Sequence, residues 1–151
     1  MLQQKKIDEE KVKLHGLPSS IIVTAGLITG TMAMFTPWAG EPGFIYYLTY
    51  PSLIGVRILV QSAMILGWVG LGIYGYKQKW KLLANYLWIA SAAASLMSIA
   101  LTIDYGMMLY MGAHVHIIGA ALTAIGAFID LTNLEIIVER EKPTEGSCVE
   151  G

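Results

Sequence analysis

Two histidines lie close together in the segment YMGAHVHIIGAALTAIGAFIDL, which covers residues 110–131 and otherwise carries a single acidic residue. An imidazole can ligate a metal, hydrogen-bond a cofactor or carry a proton. Because a helix turns about 100° per residue, His114 and His116 point about 160° apart. The two rings therefore cannot serve one ligand from one helix, where the useful spacing of two histidines is i and i+4.

A helical projection places His116 on a face of small and polar residues. That face carries Gly112, His116, Gly119, Thr123, Gly126 and Asp130, and the opposite face carries bulky apolar side chains. In a membrane, small residues mark the surface where helices approach closely. We therefore expect His116 to face a partner helix, and His114 to face lipid or another subunit. An ionisable group inside a membrane predicts cofactor binding or proton transfer, and the structural alternative is a neutral histidine hydrogen-bonded between helices.

A second pair of polar residues lies in another apolar stretch, at about residues 51–76. Arg57 and Gln61 are spaced i and i+4, so they share a helix face, and Gln61 reaches a depth similar to that of His116. The sequence predicts that Arg57, Gln61 and His116 share a layer able to bind a quinone head group, a haem edge or an anionic solute. The alternative for Arg57 is that it extends to the membrane surface. We expect Asp104 or Glu41 to be its counter-ion.

A candidate metal site involves softer ligands. Met107, Met111 and His114 are spaced i, i+4 and i+7, which would place them on one helix face near a membrane boundary. Thioether and imidazole together suit copper(I). The alternative is that the methionines are ordinary membrane hydrophobes that fill gaps.

The composition predicts a membrane protein. Of the 151 residues, 55% are hydrophobic and 14% are charged, and the mean hydropathy is +0.57. A soluble domain has too much surface to cover with so few charges. Four stretches are long enough to cross a bilayer, at about 17–37, 51–76, 83–103 and 107–131. Because short loops connect them, we predict an all-α integral membrane protein with an antiparallel four-helix bundle, preceded by segment 1–16 and followed by tail 132–151.

The distribution of basic residues predicts the orientation. Nine of the ten Lys and Arg residues fall on the side of the two termini, and the tenth is Arg57 within a span. Cytoplasmic loops carry such an excess, so we predict a multi-pass protein of the cell membrane with both termini in the cytoplasm. The net charge of −1 gives no indication of a nucleic-acid partner. The one cysteine, Cys148, lies in the predicted tail and has no assigned role.

Glycine spacing predicts close helix packing. Gly26 and Gly30 form a G-x-x-x-G pattern in the first span, and the fourth span adds Gly112, Gly119 and Gly126. Such positions favour contact within the bundle or between copies. The expected partners are therefore the lipid bilayer and either other membrane subunits or a second copy of the chain.

The short segment AHVHIIGA is similar to the histidine-bearing helices of integral-membrane haem proteins, including the haem–copper oxidase superfamily. The resemblance covers about one helix and implies haem ligation by a histidine. Those oxidases spread several histidines over many helices, whereas this chain has three in all, so no catalytic residue is carried over.

The functional hypothesis favoured by the sequence is an accessory or cofactor-binding subunit of a larger membrane redox complex. The candidate cofactors are haem b, quinone and copper. The chain itself shows no acid–base pair, nucleophile constellation or phosphate loop, so enzymatic activity stays open. The alternatives are an oligomeric transporter of a small solute or ion, and a purely structural membrane subunit.

Overall fold

Four α-helices and three short β-strands make up the part of the chain that the computed structural model describes, residues 18–76 and 80–140. Side chains are described from 18 to 75 and from 80 to 132. The predicted segment 1–16, and the tail beyond residue 140 with Cys148, lie outside the described residues. The elements are α1 (Ser19–Ala33), β1 (Ala39–Glu41), β2 (Phe44–Tyr46), a 3-10 turn (Pro51–Leu53), α2 (Ile54–Tyr76), α3 (Lys81–Asp104), β3 (Met108–Leu109) and α4 (Met111–Arg140).

Three of the described helices are long and apolar enough to cross a membrane, and α1 is shorter. The three stretches are Pro51–Gly75, Lys81–Asp104 and Met111–Thr132, with 25, 24 and 22 residues, whereas α1 has 15. This mostly helical architecture fits an α-helical membrane protein. Three of the four predicted spans thus correspond to helices long enough to cross, α1 is a shorter apolar helix, and the four-span topology stays a prediction.

The ends of α1 and α4 differ from the sequence-based expectation for identifiable reasons. The predicted first span reached residue 37, but α1 ends at Ala33. Proline lacks an N–H group and disfavours helical geometry in the residue before it, so Pro37 blocks continuation of the helix. The predicted fourth span began at residue 107, but Met108–Leu109 pairs with β1 and α4 begins at Met111. Helix α4 also continues to Arg140, well beyond the predicted end at 131.

Helices α1 and α4 run antiparallel with their backbones in contact. A Cβ atom on Gly119 would lie 2.7 Å from the carbonyl oxygen of Gly26 and 2.7 Å from the backbone nitrogen of Gly30. A Cβ on Gly126 would lie 2.9 Å from the carbonyl oxygen of Ser19, and one on Gly112 would lie 2.7 Å from that of Pro37. Only hydrogen side chains allow so close an approach along the whole seam.

The other helix pairs are also antiparallel. The Ser91 hydroxyl of α3 donates a 2.6 Å hydrogen bond to the carbonyl oxygen of Ala63 in α2, and the start of α3 contacts the second half of α4 through Asn85 and Asp130. The four helices therefore form an up-down-up-down bundle. Its core contains one cluster around Trp38 and a second cluster of Val23, Leu27, Trp88 and Ala127.

A three-stranded antiparallel sheet, in the order β2-β1-β3, covers one end of the bundle. Strands β1 and β2 are joined by a two-residue turn in which Gly43 has φ +91°, a conformation that glycine adopts at little cost. The purely α-helical prediction lacked this sheet, because strands of two or three residues carry no alternating pattern to recognise. We call this end of the bundle the sheet end, and the opposite end, which carries Ser19 and Asp130, the Asp130 end.

Trp38 connects the sheet to the helices. Its backbone N–H donates to the carbonyl oxygen of Tyr46, and its own carbonyl oxygen accepts from the N–H of Tyr110, both at 2.9 Å. Its indole Nε1 donates to the Thr102 hydroxyl oxygen of α3 at 3.1 Å, and the side chain is fully buried. The sheet is therefore attached to the bundle core by a hydrogen-bonded aromatic residue.

Candidate functional site

The Asp130 carboxyl group accepts a hydrogen bond from each of the other three helices. The Ser19 hydroxyl of α1 donates to Oδ1 at 2.8 Å, and the Tyr74 hydroxyl of α2 donates to the same oxygen at 2.7 Å. The Asn85 amide Nδ2 of α3 donates to Oδ2 at 2.7 Å. Because Asp130 is only 7% exposed, each of the four helices contributes one residue to a single buried polar cluster, which we call the Asp130 cluster.

The antiparallel bundle explains why these four residues meet. Ser19 is the first residue of α1, Asn85 lies one turn into α3, and Tyr74 lies near the end of α2. The three positions fall at the same end of the bundle although they are 45 to 111 residues from Asp130 in the chain. The chain reversals place them there, so no local sequence pattern encodes the cluster.

The three hydrogen bonds described at the Asp130 carboxyl group all come from O–H or N–H donors. An ionised carboxylate only accepts hydrogen bonds, and hydrogen bonds to a charged acceptor are stronger than those between neutral groups. A cation also lies nearby, since Lys81 Nζ is 5.0 Å from the centre of the Tyr74 ring. The Asn85 Nδ2 additionally donates to the Lys81 carbonyl oxygen at 3.0 Å, which fixes the orientation of the amide.

His116 is fully enclosed in the bundle nearer the sheet end. Its Nδ1 lies 3.4 Å from the carbonyl oxygen of Gly30, and its ring centre lies 5.2 Å from that of Trp38 at an interplanar angle of 59°. Gly30 provides the space, because a Cβ there would approach Met64 Cε to 3.0 Å and His116 Nδ1 to 3.4 Å. The Nε2 atom of His116 is buried and has no hydrogen-bond partner among the described residues.

A row of buried polar side chains follows one face of α3 between these two places. Ser98 donates to the Ser95 carbonyl oxygen at 2.6 Å, and Thr102 donates to the Ser98 carbonyl oxygen at 2.8 Å. The Ser95 hydroxyl is buried and, within residues 18–75 and 80–132, has no hydrogen-bond partner. We call this row the α3 polar stripe; its members are Asn85, Ser91, Ser95, Ser98 and Thr102.

The three residues that the sequence placed in one polar layer differ in burial. Arg57 is half-buried and Gln61 is exposed on α2, whereas His116 is inside the bundle. A cofactor site shared by Arg57, Gln61 and His116 stays a prediction. Asp104 is exposed at the end of α3. No hydrogen bond or ion pair joins Arg57 to Asp104 in the described part of the chain, and their pairing stays a prediction.

The three proposed copper ligands have different surroundings in the structure. Met107 precedes α4 and packs against the core cluster around Trp38, so the assumption of helical spacing from Met107 to His114 is wrong. Met111 is 72% exposed, and His114 is exposed with Nδ1 2.8 Å from the Tyr110 carbonyl oxygen. Among the described residues, no group of three or more His, Cys, Asp or Glu side chains is arranged to hold a metal. Copper binding by the methionines and His114 stays a prediction.

The packing around His116 bears on haem and quinone binding. Either cofactor has to approach Nε2, the nitrogen that faces away from Gly30, and the side chain has no exposed surface. A macrocycle would require the packed helices around Trp38 and Met64 to separate. The free Nε2 is a suitable ligand atom, but His116 has no exposed surface through which a haem could reach it in this arrangement.

No site role for Asp130 was predicted from the sequence, although the helical projection already placed the residue on the same face as His116. That shared face was the available signal. Its hydrogen-bond partners Tyr74 and Asn85 carried no such signal, because neither stands out among the apolar residues around it.

A comparison with known proteins finds no matching family model, no matching curated protein and no matching solved structure.

Proposed function

We propose that the chain is a multi-pass membrane protein that carries a small cation, the proton included, across the bilayer, with Asp130 as the ion-binding residue. The observation that supports this proposal is the buried carboxyl group held by residues of all four helices. An ionisable group inside a transmembrane bundle is costly, and such groups commonly belong to ion pathways or proton relays. An ion transporter is one of the alternatives that the sequence leaves open.

The same proposal includes the orientation of the bundle. The sheet end faces the outside and the Asp130 end faces the cytoplasm, because nine of the ten basic residues belong to the side of the two termini. Asp130 then lies toward the cytoplasmic side and His116 toward the outer side. A cation crossing the bilayer would meet the two groups at different depths.

Ion flux into liposomes tests the proposal directly. Purified protein is reconstituted, and fluxes of H⁺, Na⁺ and K⁺ are compared with those of empty liposomes. We expect flux of one of these ions, and we expect Asp130→Asn to lower that flux by about tenfold or more, a barrier increase of about 1.4 kcal/mol. The matched control is Glu41→Gln, which neutralises an exposed carboxyl group on the sheet and should leave the flux unchanged.

Two results would contradict the proposal. One is the absence of flux above the empty-liposome level for all three ions. The other is undiminished flux in Asp130→Asn protein that elutes as a folded species in detergent. Either result would favour a structural role, in which the Asp130 cluster only joins the four helices.

A second candidate function is the accessory or cofactor-binding subunit of a membrane redox complex. The specific observation that favours it is the buried Nε2 of His116 without a hydrogen-bond partner. The test is an absorption spectrum with metal analysis on protein extracted gently from its membrane. A Soret band or stoichiometric copper that is lost in His116→Leu or His114→Leu would support this candidate, and a colourless, metal-free protein would contradict it for haem and copper.

A further inference from the structure

We infer that the carried ion is a proton, and that it occupies two buried positions, the Asp130 carboxyl group and Nε2 of His116, connected by the hydroxyl groups of the α3 polar stripe. This inference rests on the proposed function and names the ion that the site accepts. It is supported by the direction of the hydrogen bonds at Asp130 and by Ser95 Oγ and His116 Nε2, two of the four buried side-chain atoms that lack hydrogen-bond partners in the described part of the chain.

The donors around Asp130 distinguish a proton from a metal cation. Hard cations such as sodium are bound by the lone pairs of several oxygen atoms. Here, Ser19 and Tyr74 direct O–H groups at the carboxylate, and Asn85 directs its amide nitrogen rather than its carbonyl oxygen. A metal cation would compete with these three donors for the carboxylate oxygens, and the amide hydrogens would repel it; the one unpartnered acceptor described in the cluster is Asn85 Oδ1. A proton needs only one carboxylate oxygen.

His116 has the chemistry of a second proton position. When Nδ1 carries the hydrogen, it donates toward the Gly30 carbonyl oxygen and leaves a lone pair on Nε2. Binding of a proton at Nε2 forms the imidazolium ion. The Trp38 ring packs beside this group, with its centre 5.2 Å from that of the imidazole and tilted by 59° to it.

The ionisable neighbours of the two positions differ. The contacts described at His116 are with Gly30 of α1 and with Trp38, and neither residue has an ionisable side chain. At Asp130, the titrating or charged neighbours are Tyr74 of α2, which donates to the carboxylate, and Lys81 of α3, which lies against the Tyr74 ring.

The α3 polar stripe lies between the two proton positions. His116 and Asp130 are fourteen residues apart on α4, about 21 Å along the axis at about 1.5 Å per residue. At one end the stripe contacts Asp130 through Asn85, and at the other end Thr102 accepts from Trp38, whose ring packs on His116. From Ser91 to Thr102, consecutive members of the stripe lie about 5–6 Å apart along the helix, a gap that one bridging water can span, whereas the gap of about 9 Å from Asn85 to Ser91 requires more than one water.

The Ser95 hydroxyl is the member of the stripe that is available for relay. Its oxygen is buried and lacks a hydrogen-bond partner, so it can accept one proton and donate another without breaking an existing contact. In one passage, Nε2 of His116 binds a proton and releases it to the stripe, a proton moves along the hydroxyl groups and bridging waters, and the Asp130 carboxylate gains a proton and releases it on the other side, so that both groups return to their starting states. Only N–H and O–H bonds form and break, and the net transfer is one proton.

The test compares proton and sodium movement in the same proteoliposomes. Proton flux is followed with an enclosed pH-sensitive dye under an imposed pH gradient, and sodium uptake is followed with radioactive sodium. We expect proton flux without sodium uptake. We expect His116→Gln to lower the proton flux by about tenfold or more, while His114→Gln, on the same helix but exposed, changes it by less than about twofold.

Ser95→Ala provides a variant that should fold, because it removes only an unpartnered hydroxyl group. We expect it to lower the proton flux by about threefold or more, and we expect Ser95→Thr, which keeps a hydroxyl group, to retain more flux than Ser95→Ala. Unchanged proton flux in both His116→Gln and Ser95→Ala would overturn the two-position pathway.

The outcomes separate this inference from the proposed function. Sodium uptake that depends on Asp130, without proton flux, would overturn the inference and retain the proposed cation carrier. The absence of flux of H⁺, Na⁺ and K⁺ would overturn the proposed function and the inference with it.

Discussion

The Tyr74 hydroxyl of α2 lies 2.7 Å from Oδ1 of Asp130 in α4 and donates a hydrogen bond to it. The same oxygen accepts from Ser19, so α1, α2 and α4 meet at one atom. The hydroxyl group, rather than the ring, makes this contact. Tyr74 can therefore be tested by removal of a single oxygen.

Tyr74→Phe should destabilise the bundle because one of the three donors to the buried carboxylate is lost. Interhelical hydrogen bonds in membrane proteins are worth about 0.6–1.7 kcal/mol, and we expect a loss of free energy of unfolding in that range. Unfolding in mixed micelles provides the measurement. Tyr86→Phe is the control, since Tyr86 is 58% exposed on α3; an equal loss in both variants would argue against the Asp130 contact.

Gly119→Ala should separate α1 from α4. The added Cβ would meet backbone atoms of Gly26 and Gly30 at 2.7 Å, and backbone atoms cannot rotate away. We expect a cost of about 1–3 kcal/mol, typical of overpacking, measured as a lower midpoint of thermal unfolding in detergent.

The control for Gly119→Ala is Gly72→Ala on α2. A Cβ at Gly72 meets no atom within 4 Å, and alanine favours a helix over glycine by about 1 kcal/mol. Gly72→Ala should therefore be neutral or stabilising. Equal destabilisation by the two substitutions would show that the seam between α1 and α4 is looser than the structure indicates.

Trp38 and Thr102 should be energetically coupled across the boundary between the sheet and the bundle. Trp38→Phe removes the indole donor, and Thr102→Val removes the hydroxyl acceptor with little change of shape. In a double-mutant cycle, the loss for the double variant should be smaller than the sum of the two single losses by about 0.5–1.5 kcal/mol. Additive losses would indicate that the indole hydrogen bond contributes nothing.

The orientation can be tested with a membrane-impermeant thiol reagent on intact cells. The natural Cys148 should react only after the cells are opened, since we place both termini in the cytoplasm. In a Cys148→Ser background, Thr49→Cys should react on intact cells, because Thr49 is exposed at the sheet end. The reverse labelling pattern would invert the bundle, and with it the sides assigned to His116 and Asp130.

The helices were predictable to different degrees. The bounds of α2 and α3 lie close to the predicted spans, because long apolar stretches are bounded there by Pro51 and by charged residues. Helix α1 was predicted too long because the apolar run continues past the point where Pro37 blocks the helix. The start of α4 was missed because pairing of β3 with β1, a tertiary contact, takes residues 108–109 out of the helix.

The sequence by itself determined that the chain forms apolar helices, and that His116, Asp130 and the glycines of α4 share one face, because composition and a helical period are properties of a single segment. Only the tertiary structure decided what that face meets. Gly119 lies against Gly26, and Asp130 binds Tyr74 and Asn85. Those partners lie far away in the chain, and the antiparallel packing of four helices selects them.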